Sequence, residues 1–428
     1  MFNQGGLSLE QAPPISVVLK FFITASLFGV MLGLYLSTDS LFDLPDNSYA
    51  FDLVVVHLLA LGVMASFMFG ALFQMLPVIA GVVIKMPQKK STVSHVLLTL
   101  GVITQILAFV FTTPLLYLLA SIILGAGLLH TTTLMLKELF KINDHSSSSR
   151  GMIVALASFS IAILLGIYLL LSLGGYLQGD LFASLKTAHY SFALFGWVSV
   201  LIISVSFQVV EMFYVTPKYP HLMSHYLVLL LVSLLILKLI ALLMNIPTQW
   251  LTVLLALSLM SYAGVTIHRL YHRRRPTSDA TVWFWRLGMG LLMLSMIILM
   301  TQQIMESYPF AWLQPLSYLA FIGFGLSIVF AMIYKIIPFL VWFHLSNQGY
   351  LEAPMMHDVI HPKQAKIHFA IHLAMLLAWA GAMSFEHQGL IILASLLTTL
   401  SFGWLLYHTL MALKKYNYTQ KYTEKMEW

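Results

Sequence analysis

Residues 57–81 read HLLALGVMASFMFGALFQMLPVIAG, apolar throughout except for His57, Ser66 and Gln74. A histidine set into a segment of hydrocarbon length is costly, which marks it as a candidate functional residue. The frame around it recurs twice. Gly62, Gly196 and Gly323 are each followed twelve residues later by Gln74, Gln208 and Lys335. Phe73, Phe207 and Tyr334 stand just before these, Gly70, Ser204 and Ala331 stand four before, and Pro77, Glu211 and Pro338 stand three after. Five residues ahead of the three glycines come His57, Ser191 and Tyr318. This periodicity predicts a threefold internal repeat in which the quoted stretch is the marker helix.

Outward from this helix, the composition leaves one solvent to consider. Of 428 residues, 60% are apolar and 9% charged, and the mean hydropathy is +0.88. Such a chain is an integral membrane protein, and its partner is the lipid bilayer. About twelve segments can cross a hydrocarbon core of about 30 Å. They lie near 14–36, 52–80, 94–112, 114–136, 152–174, 184–212, 224–243, 249–268, 282–304, 314–342, 366–384 and 390–412. Backbone groups must be satisfied internally in lipid, so the fold class is all-α and polytopic. There is no cysteine, which excludes disulfides, thiolate metal sites and iron–sulfur clusters.

The net charge of +6 follows the positive-inside pattern and implies no nucleic-acid partner. Lys85, Lys89, Lys90, Lys137, Lys141, Arg150, Lys218, Arg269, Arg273 to Arg275, Lys363 and Lys366 fall in alternate loops, and Lys414, Lys415, Lys421 and Lys425 in the tail. The other loops hold Asp39, Asp43, Asp46, Glu306 and Glu386, with Lys186 their one base. This predicts cytoplasmic termini in a bacterial inner membrane. The first thirteen residues lack a basic signal-peptide region, so the first span reads as an anchor.

The spans divide into three groups of four, near 14–145, 150–275 and 280–415, separated by Asp144–Arg150 and His272–Asp279. Those linkers are short, so one membrane domain is expected. Third spans begin with His95, His225 and His368, and fourth spans carry His130, His268 and His408. Antiparallel neighbours could bring His95 to His130, His225 to His268 and His368 to His408 as metal pairs on the cytoplasmic side. The plainer reading is that these rings sit at headgroup depth, since no carboxylate accompanies them at ligand spacing.

Three arcs of four helices, with a ligand helix second in each, resemble the catalytic subunit of heme-copper oxidases. His57, twenty residues before Pro77, is similar to the second-helix histidine of cbb-type oxidases and nitric oxide reductases. The run AHYSFALFGWVSVLIISVSFQVVE at 188–211 also resembles that family's ligand helices. A weaker similarity links the chain to the heme-bearing NnrS-type membrane proteins. The resemblance implies one b-type heme, held by His57, with His189 or Tyr318 as the other candidates for its cofactor or metal set. The usual copper arrangement is not expected, because Ser191 stands at the register position of the sixth span, and the seventh has no His-His pair. Leu316 and Tyr318 occupy the heme-histidine positions of the tenth. The implied role is electron transfer, nitric oxide or oxygen response, or respiratory-complex assembly with a redox partner subunit, rather than terminal oxidation. A cofactor-free transporter, or a subunit completed by another chain, is the alternative.

Four further readings follow from the residues. Lys238, Glu211 and Lys335 reach the interface by snorkelling. Gly29 and Gly33 form a small-xxx-small pair for close helix packing. Trp283, Trp285, Trp312 and Trp342 anchor helix ends at the interface. His357, Asp358 and His361 could bind a metal if helical, although Pro354 and Pro362 flank them.

Overall fold

The computed structural model describes residues 12–42, 48–275, 279–305 and 313–425. Asp43, Asp46, Glu306 and Trp312 lie outside these ranges. Within them, twelve helices are long and apolar enough to cross a membrane. They are α1 (Ile15–Thr38), α2 (Asp52–Ala80), α3 (Pro87–Phe111), α4 (Pro114–Leu139), α5 (Ser147–Leu173) and α6 (Phe182–Tyr214). The remainder are α7 (His221–Leu243), α8 (Gln249–Tyr271), α9 (Ala280–Ile304), α10 (Gln314–Asn347), α11 (Pro362–Phe385) and α12 (Gln388–Tyr422).

Sequence chemistry fixes their ends. Pro87, Pro114 and Pro362 open α3, α4 and α11, where a missing N–H costs nothing. Ser146 and Asp279 cap α5 and α9 by accepting the backbone N–H of Ser149 and Thr281 at 3.1 and 2.9 Å. After α2 the chain reverses through Gly81 at φ +67°, where glycine is favoured. Val82 donates to the Leu76 carbonyl and Gly81 to that of Pro77, both at 3.1 Å, closing the orphan carbonyls.

Helices α2, α6 and α10 form the interior of the bundle. In α6 and α10 the apolar windows are 72% and 78% buried, against 33% in α11 and α12. A small apolar cavity of about 70 Å³ lies where the three meet, between Met68 and Leu72, Leu201 and Val205, and Val329 and Met332. Around them the outer helices pack in chain order, across both interior linkers, and α1 lies along α12 to close the ring. Gly29 and Gly33 make that closure possible. A Cβ on either would stand 2.2 Å from Phe402 or 2.4 Å from Thr399, so the small-xxx-small pair is a helix-packing device.

Two of the marker helices share an irregularity. A π-helical segment runs over Leu58–Ala65 in α2 and Phe192–Ser199 in α6, each eight residues long and each beginning just after the register position of His57 or Ser191. The equivalent part of α10 is continuous α-helix. π segments accumulate at functional sites because they displace side chains from the α register.

Some expected placements differ. Trp285 is buried in the core rather than interfacial, and Lys238 is 4% exposed rather than snorkelling. It donates to Thr252 Oγ1 at 3.0 Å. Lys335 pairs with Asp279 at 2.5 Å, tying α10 to the cap of α9, and Glu211 accepts the Tyr219 N–H at 2.8 Å. The turn Met356–Val359 ends before His361, whose Nδ1 accepts the Lys363 N–H and so caps α11. His357, Asp358 and His361 therefore do not share a helical face.

Candidate functional site

A cavity of about 290 Å³ lies among α2, α3, α4, α5 and α6, close to the lower end of small-molecule pockets at about 300 Å³. Its walls are aliphatic and aromatic, and two histidines from different helices enter it. They are His57 and His189, which sequence reasoning singled out separately.

Each ring is fixed by one nitrogen. His57 Nδ1 lies 2.8 Å from the Leu53 carbonyl, one turn back along α2. His189 Nδ1 lies 2.8 Å from the Ala162 carbonyl on α5. A carbonyl only accepts, so Nδ1 carries the hydrogen in both rings and Nε2 keeps its lone pair. A backbone carbonyl on Nδ1 is the usual outer-shell partner of a metal-ligating histidine. His189 reaches Ala162 because α5 carries Gly166 one turn later, and a Cβ there would lie only 3.0 Å from His189 Cε1.

The two ring centroids are 6.4 Å apart and their planes differ by 19°. Opposed imidazoles on one metal centre have centroids about 6.2 Å apart, taking a metal–nitrogen bond of about 2.0 Å and about 1.1 Å from nitrogen to ring centre. The observed centroid separation lies within about 0.2 Å of that spacing. Phe109 packs on His57 at 5.1 Å and helps hold its ring.

Deeper in the cavity, Trp197 stacks on Phe159 at 4.5 Å. Its Nε1, and Oε1 of Gln105, are buried with no hydrogen-bond partner. At the other end Lys186 and Tyr190 form an exposed rim. Among the described residues no carboxylate lines the cavity, and the Ser121 hydroxyl is spent on the Leu118 carbonyl at 2.7 Å. The walls therefore supply neither a carboxylate base nor an activated nucleophile. They offer two imidazoles, each with its Nε2 lone pair, in an otherwise largely apolar cavity.

The other candidates lie elsewhere. Tyr318 is 57% exposed at the start of α10, where its hydroxyl accepts from Gln314 Nε2 at 2.9 Å. It is not among the cavity residues. His95 bonds Thr24 Oγ1 at 2.8 Å, and His130 is exposed on α4. His225 meets Arg150 at 3.2 Å and stacks on His221, whereas His268 is exposed and packs at a tilt on His272 at 4.1 Å. These four histidines do not form the expected cross-helix pairs.

The third group is different. His368 contacts Ser401 Oγ and His372 contacts Ser327 Oγ, both at 2.9 Å, with Phe330 packed against both rings. Among the described residues, His368 Nδ1, His372 Nδ1 and His408 Nε2 are buried there without a hydrogen-bond partner. Reading helix-end histidines missed His372, although His368 and His372 are i and i+4 on one face, a visible signal. Among the described residues, no three histidine or carboxylate side chains converge as a metal site. A scan against protein-family models finds no match to this chain, and a search of curated proteins finds none either.

Proposed function

We propose that this protein is a membrane electron carrier that holds one b-type heme between His57 and His189. The observation that carries the reading is that two near-parallel imidazoles 6.4 Å apart, each tethered through Nδ1, enter one largely apolar cavity. When bound, such a heme supplies a one-electron couple whose potential is set by its axial ligands and its burial. The chain's own residues do the rest. His57 and His189 would hold the group, Phe109, Phe159 and Trp197 would keep water from it, and the exposed rim at Lys186 and Tyr190 would be the place for exchange with a redox partner subunit. With both histidines engaged, the site would suit electron transfer rather than oxygen chemistry.

This reading keeps the resemblance to heme-copper oxidase subunits in the second helix and alters it elsewhere. The second ligand comes from α6, not from α10. With the lysine- and arginine-rich face as the cytoplasmic one, the histidines lie toward the outer side of a bacterial inner membrane.

The test is the absorption of detergent-purified protein, oxidised and then reduced, with heme quantified against protein. A sharpening Soret band at about one heme per chain, lost in both His57→Ala and His189→Ala while the proteins stay folded, supports the proposal. Wild-type protein that takes up no heme when heme is abundant refutes it.

A further inference from the structure

We infer that the mouth of the cavity is a carboxylate-binding subsite built on Lys186, so that the occupant of the slot carries its anionic groups at this rim. The inference rests on the heme reading and extends it to the polar edge of the tetrapyrrole, its two propionates.

Three observations carry it. Lys186 lines the same cavity as the two histidines and lies three residues before His189, on the same side of α6. Its ammonium is thus one helical turn outward from the ligand ring. Second, Lys186 is exposed and takes part in none of the ion pairs among the described residues. It stands in the first turns of α6, where the positive end of the helix dipole opposes a cation rather than favouring one. Third, it is out of place by charge topology. The segments at this end of the bundle hold Asp39, Asp52, Asp180 and Glu386, whereas the only other lysine or arginine there, Lys238, is buried against Thr252. A solitary cation at the mouth of an otherwise apolar slot has a use if the slot's occupant presents carboxylates to it. The ammonium and the dipole of α6 then act on the same group.

The opposite polarity does not fit. Deep in the slot the unpartnered groups are an indole N–H and an amide oxygen, both neutral, so nothing there neutralises a carboxylate. Lys186 therefore sets which way round the occupant enters.

The experiment compares two porphyrins on full-length protein purified without heme: hemin, and hemin whose two carboxyls are methyl esters. Each is titrated into wild type, Lys186→Gln and Lys186→Arg, with uptake followed by the Soret band and by quenching of tryptophan fluorescence. An exposed ion pair is worth up to about fivefold in affinity. Lys186→Gln should weaken hemin by that factor, Lys186→Arg should restore most of it, and the diester should bind all three proteins alike. The difference should also shrink in high salt. Wild type and Lys186→Gln binding hemin equally overturns the inference while leaving the heme reading intact. So does an equal loss for hemin and diester, which would mark Lys186 as a structural residue. Wild type that binds neither porphyrin overturns both.

Discussion

Gly166 is the position where the smallest change should do the most to the proposed ligand pair. An alanine methyl there would sit 3.0 Å from His189 Cε1 and 3.4 Å from Nδ1. Ordinary carbon–carbon contact begins near 3.5 Å, so the ring must retreat by about 0.5 Å. The retreat stretches the 2.8 Å contact between Nδ1 and the Ala162 carbonyl to about 3.3 Å, beyond the usual hydrogen-bond range of about 3.2 Å. Losing that outer-shell bond costs about 0.5–1.5 kcal/mol, and removing such supports typically weakens a metal site about 10–100-fold. Helix propensity works in the other direction, since Gly→Ala within α5 favours the helix by up to about 1 kcal/mol. Gly166→Ala should therefore fold with stability within about 1 kcal/mol of wild type yet bind hemin about tenfold more weakly, with a shifted Soret band. The assay is a hemin titration alongside thermal unfolding of the heme-free protein. Affinity within twofold of wild type and an unchanged spectrum would refute the idea that His189 is held in place by this contact.

Other perturbations reach the rest of the fold. Burial alone would raise the Asp279 carboxyl, but Lys335 and the Thr281 hydroxyl and N–H outweigh it and hold the carboxyl below its ordinary value. Its contribution to stability is therefore present above the ordinary carboxylate pKa and fades as pH falls below about 4. Asp279→Ala removes the cap of α9 and unpairs Lys335, and should lower stability by about 1 kcal/mol or more at neutral pH, read by thermal unfolding in detergent. Gly33→Ala places a Cβ within 2.5 Å of the Thr399 backbone. It should cost about 1–3 kcal/mol by overpacking α1 against α12, and an unchanged midpoint would contradict that packing. Lys238→Met replaces a buried cation by an apolar chain of similar length, and should be neutral or stabilising with heme content unaltered. Loss of heme in that variant would show Lys238 to be coupled to the site.

Hydropathy made the twelve apolar helices readable, because lipid leaves a chain of this composition only helices to form. Helix ends were less legible. α12 runs to Tyr422, ten residues past the apolar stretch, since Gln348 and Tyr350 bond its polar turns at Tyr416 and Gln420. His57 was conspicuous as a lone polar residue in a hydrocarbon segment. His189 was visible only as a neighbour of the register position, and the reason is geometric. Where helices meet around a ring, the face α2 turns to α6 is not the face α6 turns to α2, so equivalent residues need not meet. Ser191 accordingly turns back to the Thr187 carbonyl, and Tyr318 faces outward. Register thus groups His57, Ser191 and Tyr318, whereas the cavity groups His57 with His189. The π segments carry no sequence mark beyond Gly62 and Gly196. Gln105 and Trp197 looked like ordinary span residues until the cavity gave them a common surface.

The most direct measurement is electron paramagnetic resonance of the oxidised, heme-loaded protein. Two neutral imidazoles from His57 and His189 on one iron, with planes only 19° apart, predict a low-spin rhombic ferric signal that disappears in either His57→Ala or His189→Ala. A high-spin axial signal in the wild type, or a low-spin signal that survives loss of His189, would contradict the pairing of these two residues across the slot.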